Sequence, residues 1–362
     1  MDEATRQRLL AKNENLIAMV TERVKRNFAD DIDIIGLSGS FSTNDFHEKS
    51  DLDLIIINNK DRAWDMNACF IYDDVGYDIY CTPWDSMERK ADFDDQGVSI
   101  LTDMEILYIA KPECLDRLNK LKEKALKELA RPVNADCIAR AEKHIDLAKQ
   151  NFTDMILGND VSTVKLSSAW LVINLVNSIV HLNNTCIKHG IKRYLEELCA
   201  YRHLPNNFKQ LYMTVVEAKN EDDIKNASEK LLRAVIRLRD ELKKKYVAPP
   251  VPDYNNLRGT YEEAYCNCKN KILNSIETGD KSYIFLAAAG GQGYFNEMAD
   301  VVGTKRFDLM KHYDADNPEK YRDAFLLAME EFSEEYNKAG RRILRYDDFE
   351  TLYGDYMGGK MR

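Results

Sequence analysis

The stretch Gly36–Leu54, GLSGSFSTNDFHEKSDLDL, constrains this chain more than any other. It continues an apolar run, Ile32–Leu37, interrupted by Asp33, and turns at Gly39-Ser40. It closes on Asp51 and Asp53, which flank Leu52 and lead into Leu54-Ile55-Ile56-Ile57. The pattern reads as strand, tight turn, connection, strand. Residues two apart on a strand share a face, so Asp51 and Asp53 project side by side while Leu52 and Leu54 face the core.

Two carboxylates held together repel, and either one takes a proton or a cation sits between them. Hard divalent cations with oxygen ligands suit that position, Mg²⁺ above all where phosphate is the other partner. Gly39-Ser40 supplies the complementary half. Glycine lets the backbone approach a phosphate closely, and amides at the start of a following helix, with the Ser40 hydroxyl, can hold its oxygens. Ser38, Ser42 and Thr43 are further hydroxyls within reach, and His47 reads as a polar loop histidine. Downstream, Asp78 is the one charged residue in the β-prone run Val75–Cys81.

Gly39-Ser40, ten intervening residues, then Asp51-Leu52-Asp53-Leu54 resembles the signature of the DNA polymerase β-type nucleotidyltransferase superfamily, over roughly residues 30–110. Asp78 stands where that family carries a third carboxylate on a neighbouring strand. The resemblance implies transfer of a nucleoside monophosphate, AMP first among them, from a nucleoside triphosphate such as ATP to an acceptor hydroxyl. By the same resemblance Asp51 and Asp53 bridge two Mg²⁺ ions, and Asp78 completes one metal site and takes the acceptor's proton. Gly39 and Ser40 hold the β- and γ-phosphates.

A small domain of this kind followed by helices is similar to antibiotic nucleotidyltransferases of the kanamycin and lincosamide kind. That likeness implies an acceptor pocket in the helical part for a small polar hydroxyl compound, and a homodimer as one assembly, since some relatives share active sites across a dimer. A cation opposite the triphosphate is also expected from the helical part. Lys149 and Lys165 lie near its start, but both read as solvated helix charges. Two other functions stay open, transfer to a protein partner as in the much shorter antitoxin-type relatives, and a non-catalytic nucleotide-binding scaffold.

With 362 residues the chain is long enough for two or three cores, and its formal charge of −10 argues against a broad nucleic-acid surface without excluding a local basic groove. Eight scattered cysteines and no secretory leader fit reduced thiols and a cytoplasmic protein, and Cys266-Asn267-Cys268 has the wrong spacing for a zinc knuckle. Ile17, Val20, Val24 and Phe28 mark an amphipathic helix within Met1–Ala29. A loop over Asp92–Gly97, acidic at Asp92, Asp94 and Asp95, precedes a strand at Glu105–Ala110, and Pro112 opens a helix that ends before Arg131-Pro132.

Beyond Asn134 the periodicity is helical throughout. Ala135–Leu157 carries Ile138, Ala141, Ile145, Ala148 and Phe152 on one stripe. Ser162 is expected to cap a very apolar helix through Ile187, which Asn174, Asn177, Ser178 and His181 mark as a bundle helix rather than a membrane span. His144 and His181 read as hydrogen-bonded core histidines. Helices over Lys192–Ala200, Asn206–Ala218 and Asp222–Tyr246 lead to a stiff linker, Ala248–Pro252, and then to helices over Thr260–Glu277, Lys281–Val302 and Pro318–Lys338. Gly290, Gly291 and Gly293 inside a helix point to close packing. The fold class is α+β, a small mixed-sheet domain (1–131) followed by an all-helical bundle (132–247) and a C-terminal helical region (248–362).

Overall fold

A computed structural model describes residues 1–95, 97–248 and 253–361, so most of the expected Ala248–Pro252 linker lies outside the described residues. The fold is α+β, and contacts divide it into two compact units, Met1–Val247 and Ala248–Arg362.

The first unit begins with α1 (Glu3–Asn27), N-capped by the Asp2 carboxylate, which accepts from Thr5 N at 2.7 Å. Its buried stripe is Leu9, Leu16, Val20 and Val24. The elements that follow are β1 (Ile32–Leu37), the single helical turn α2 (Gly39–Ser42), β2 (Leu54–Asn58), β3 (Ala68–Tyr72), β4 (Val75–Ile79) and β5 (Cys81–Pro83). Then come α3 (Trp84–Ala91), α4 (Val98–Asp103), β6 (Glu105–Ile109) and α5 (Pro112–Leu129).

The main sheet has the order β5-β2-β1-β6, with β1 antiparallel to both neighbours and β5 parallel to β2. Ile32, Ile34, Ile35, Ile56 and Ile57 are all 0% exposed, because helices cover both faces. One face packs on α1, and the other on Trp84, Met87, Leu101 and Leu118 of α3, α4 and α5. β3 and β4 form a separate hairpin around Asp73 and Asp74, whose φ values of 53° and 55° give the left-handed turn that suits two twisted strands. β3 has no counterpart in the sequence reading, and its pairing takes β4 away from the main sheet.

The bundle contains α6 (Ala135–Leu157), α7 (Val161–Leu182), α8 (Tyr194–Cys199), α9 (Phe208–Glu217) and α10 (Glu221–Tyr246). The N-cap of α7 is Asp160 rather than Ser162; its carboxylate accepts from Ser162 N and Thr163 N, both at 2.9 Å. The helix also stops at Leu182 instead of Ile187, because Asn184 takes a φ of 46° that a right-handed helix cannot continue through. α7 is long and apolar enough to cross a membrane, and it is the central helix of this bundle. Val164, Leu171 and Ile179 are fully buried in the core that α7 shares with α6 and α10.

In the second unit α11 (Tyr254–Leu257) and α12 (Thr260–Ala264) lead through a π-helical turn, Tyr265–Lys269, into α13 (Asn270–Thr278). Then follow α14 (Lys281–Val301), α15 (Glu319–Lys338) and α16 (Phe349–Met357). The expected helix Thr260–Glu277 is therefore present, continuous through that π-helical turn, and α16 is an addition to the sequence reading. Its core is aromatic, with Phe295 against Phe325 and Phe332 at 5.6 Å. Of the three helical glycines, Gly291 packs closely: a Cβ there would lie 2.8 Å from the Tyr321 hydroxyl, whereas Gly290 and Gly293 face open space. No strand follows Ile109 among the described residues.

Candidate active site

Gly39 has φ +72°, and a Cβ on it would lie 1.7 Å from Asp53 Oδ2. The turn after β1 thus needs glycine on two counts, its left-handed backbone and the carboxylate resting on its Cα. Ser38 N donates to Asp53 O at 3.0 Å, and the Ser40 N–H donates to the Asp53 carboxylate. The turn and the second acid of the pair are therefore one structural unit, although the connection between them carries no regular structure beyond α2.

Asp53 keeps contact with water in the cleft while protein walls it on its other sides. This confinement, together with the Asp51 charge beside it, raises its pKa, and the Ser40 N–H is the opposing contribution. A close acid pair that makes no ion pair with a protein cation among the described residues is what a divalent metal would answer, and the oxygen donors of Asp51 and Asp53 suit such an ion.

Asp78 does not join them. It sits on the exposed side of β4, where Cys69 Sγ donates to its Oδ1 at 3.2 Å. Pairing with β2 begins only at Cys81, opposite Ile56, so the residue of this segment that reaches the cleft beside Asp53 and Ile55 is Tyr80. Among the described residues no three His, Cys, Asp or Glu side chains gather closely enough to hold a metal. The expected three-carboxylate set is not assembled here, because β3 and not β2 is the partner of β4. Ser42 also falls elsewhere, in a groove with Ile17 of α1 and Phe46. Thr43 borders the cleft, with its hydroxyl 3.1 Å from Gly39 O.

Two cavities open from the acid pair. The smaller, about 340 Å³, has Gly39, Ser40, Asp51 and Asp53 on one side and Lys188, Lys192 and Arg193 on the other, with His47 and Lys49 at its edge. The larger, about 680 Å³, runs from Tyr80, Phe93 and Asp94 of the sheet region to His144, Asn177 and His181 of α6 and α7. Ser38 lines the larger cavity, and Gly39, Asp53, Lys188, His189 and Gly190 border both.

The cations come from a strap, Asn184–Arg193, between α7 and α8. Asn184 Nδ2 anchors its start by donating to Glu128 O at 2.8 Å and Arg131 O at 2.9 Å. Lys188 Nζ reaches Asp103 at 3.0 Å. Arg193 grips Asp45 through Nε and Nη2, both at 2.9 Å, and Lys192 adds a contact at 3.3 Å. These bonds hold the Asp45 carboxyl far below the usual carboxylate range. Asp45 lies between the two halves of the signature, so the strap is tied directly to the phosphate turn.

Lys149 and Lys165 are both exposed helix residues, and Lys149 pairs with Asp146 at 2.8 Å. The cations that face the acid pair went unassigned in the sequence, yet a signal was there. Lys188–Arg193 reads KHGIKR, a basic run around a glycine in a chain of net charge −10. His144 and His181 stack at 5.4 Å, and His144 Nδ1 lies 3.3 Å from Asn174 Oδ1. Burial lowers both pKa values, that of His181 to about 3, so the larger cavity is backed by neutral imidazoles. Both are half-buried, His144 is hydrogen-bonded as the sequence suggests, and both also face a cavity.

Residues 17–154 match the family model of the nucleotidyltransferase domain. That stretch includes the Gly39-Ser40 turn, both acids and Asp78, so the chain carries a nucleotidyltransferase domain and is a phosphorus-group transferase. A solved nucleotidyltransferase-like protein from Exiguobacterium sibiricum 255-15 is 12% identical, over 64% of this chain and 81% of that one, with a TM-score of 0.34, too low to carry an argument. No curated protein matches the chain.

Proposed function

We propose that the enzyme is a metal-dependent adenylyltransferase that moves AMP from ATP to a hydroxyl of a small polar acceptor, of the aminoglycoside- or lincosamide-like kind. The observation that carries this reading is the meeting, at Gly39 and Asp53, of a smaller cavity lined by Lys188, Lys192 and Arg193 and a larger one that extends to His144, Asn177 and His181. The triphosphate suits the smaller cavity, where the Gly39-Ser40 turn offers close backbone approach and Lys188, Lys192 and Arg193 supply positive charge. Asp51 and Asp53 would hold Mg²⁺. When bound, Mg²⁺ polarises the phosphoryl oxygens and neutralises charge on the departing pyrophosphate.

The protein's own groups bind and orient. Ser40 and the strap cations fix the β- and γ-phosphates, which leaves the α-phosphorus at the junction of the cavities. The larger cavity, at about 680 Å³, is of the size that small-molecule sites occupy, which favours a small acceptor over a protein partner. Neutral His144 and His181, with Asn177, offer hydrogen bonds to a hydroxyl-rich compound, and Asp94 on the same lining suits the amino groups that aminoglycosides carry. The acceptor oxygen then bonds to the α-phosphorus as the bond to the β-phosphate oxygen breaks. The reading places the enzyme in the cytoplasm, where ATP is available and its eight free cysteines stay reduced.

Pyrophosphate release from ATP and Mg²⁺, measured across a panel of aminoglycosides and lincosamides, tests the proposal. Acceptor-dependent release that disappears in Asp53→Asn is the expected result. Release that is unaffected by that substitution, or that no small acceptor elicits, overturns it.

A further inference from the structure

We propose that His189 is the catalytic base that removes the proton from the attacking hydroxyl, and that Glu197 is the residue that positions it. The inference rests on the nucleotidyl-transfer reading above and deepens it.

A base for this reaction has to stand where the α-phosphorus and the acceptor oxygen meet. His189 borders both cavities, as does Asp53, so it lies at that junction. Its ring is held there by an unusually well-occupied carboxylate. Glu197, on α8, accepts from Lys188 N at 2.9 Å and His189 N at 3.1 Å. It also takes the Tyr201 hydroxyl at 3.2 Å and His189 Nδ1 at 3.2 Å. The Glu197 side chain is only 14% exposed, whereas that of His189 is 42% exposed to the cleft. One end of the pair is fixed and the other is open.

That bond also sets the tautomer. A nitrogen facing a carboxylate carries the proton, so Nδ1 is N–H and Nε2, at the opposite edge of the ring, keeps its lone pair. A buried carboxylate behind an imidazole steadies the imidazolium that forms when Nε2 takes a proton, which is how such pairs serve as bases. Groups that share these cavities with the ring include Lys188, Lys192 and Arg193 on the strap, Tyr194 on the element behind it, Cys186 before it, His47 and Lys49 at the edge, Asp94 and His181 in the larger cavity, and Asp51 and Asp53 across the junction. Asp78 is bonded to Cys69 on the separate hairpin and borders neither cavity.

In the step itself the acceptor O–H bond breaks as its proton passes to His189 Nε2, and the oxygen forms a bond to the α-phosphorus. The bond from the α-phosphorus to the bridging oxygen breaks, and pyrophosphate leaves with that electron pair. Bulk water then takes the proton from His189.

The test uses the full chain with ATP, Mg²⁺ and the aminoglycoside and lincosamide panel. His189→Ala should lower kcat by about 10²- to 10⁴-fold, the range of a positioned base, while KM for ATP stays within about threefold. Added imidazole should restore part of that rate. Glu197→Gln should lower kcat by about tenfold without imidazole rescue, because its ring is present but mis-set. Long-range ¹H–¹⁵N spectra provide a reading independent of turnover: His189 should be the Nδ1–H tautomer, and Glu197→Gln should erode that preference.

Full kcat in His189→Ala, loss without imidazole rescue, or an Nε2–H tautomer in the unaltered protein overturns the base assignment alone. Absence of turnover by the unaltered protein with every acceptor, or full turnover in Asp53→Asn, overturns the transfer reading and the base with it.

Discussion

The two cavities that meet at Gly39 and Asp53 share Lys188 and Asp53 and differ in their far walls, which are Lys192 and Arg193 in the smaller and His144 and His181 in the larger. In the smaller, Lys192 and Arg193 have side chains 59% and 37% exposed and both pair with Asp45. The larger is backed by His144 and His181, whose burial beside Arg140, Lys143 and one another strips their charge. Gly39 of the phosphate turn, Asp53, and Lys188, His189 and Gly190 of the strap border both cavities. On the proposed reading, the difference would give a polyanion and its counter-ions a place beside one where neutral imidazoles offer hydrogen bonds to a hydroxyl-rich compound.

Asp53→Asn is the most direct way to break the charged side. Transfer should fall by on the order of 10³-fold, the scale of losing a principal electrostatic element of the site, as read by pyrophosphate release. The same substitution should stabilise the metal-free protein. A carboxyl whose pKa is raised on folding binds its proton more tightly in the native state, so its ionisation costs stability above the raised pKa. The gain in thermal midpoint should be present at pH 7 and vanish as the pH falls below about 3.9, the unperturbed value, where the native and unfolded carboxyls are both protonated. An inactive but more stable variant marks the residue as one kept for chemistry. No change in midpoint at pH 7 contradicts the confinement argument.

Gly39→Ala attacks the same side through the backbone. A Cβ at 1.7 Å from Asp53 Oδ2 has to displace that carboxylate, and φ +72° adds strain. A destabilisation of about 1–3 kcal/mol by chemical denaturation is expected, with activity down about 100-fold through the shifted acid. If activity survives while stability drops, the contact between turn and acid has no part in the reaction.

The charged side was half legible in the sequence, and the division has a physical cause. Gly39, Ser40, Asp51 and Asp53 are close in sequence; the two acids lie in the lead-in to β2 and not in the strand, where the exposed, buried, exposed alternation of Asp51, Leu52 and Asp53 still gives them one side. Arg193 meets Asp45 across 148 positions of sequence, and the contact exists only because Asn184 ends α7 and starts the strap. No local rule encodes such a pairing. The misplacement of Asp78 has the same origin. Its run is correctly β-prone, but the choice between β2 and β3 as its partner is tertiary, and the hairpin turn at Asp73-Asp74 decides it. Helices were easier to read, since α6 keeps one apolar stripe from Ile138 to Ala148 and α10 another from Leu231 to Leu242.

Arg193 and Asp45 sharpen the comparison by showing whether the strap's charge is spent internally or on substrate. Asp45 occupies two of Arg193's donors. Arg193→Ala should raise KM for ATP about tenfold and leave kcat within about twofold, since a bidentate guanidinium contact to a phosphate is lost. Asp45→Ala should shift KM the other way, by about threefold, because the guanidinium no longer has to exchange one anion for another. A rise in KM in both variants would mean that the pair matters only as a tether for the strap.

The neutral side yields the smallest effect at pH 7 and the cleanest dependence on pH. The pKa of His181 drops from 6.5 to about 3 on folding, through burial first and then the neighbouring charges of His144, Arg140 and Lys143. The sign follows from proton counting. Below pH 6.5 the unfolded chain binds a proton that the native site refuses, so stability falls as the pH falls, until about pH 3, where the native imidazole also titrates. Above pH 6.5 the residue contributes no pH dependence. His181→Phe, which keeps an aromatic ring against His144, should therefore flatten the acid limb of a denaturant-midpoint profile between those values. The flattening should approach but not exceed about 1.4 kcal/mol per pH unit, the limit for one proton. If the limb is unchanged, the wall of the larger cavity is hydrated enough to carry charge, and the contrast between the two cavities is one of shape and not of solvation.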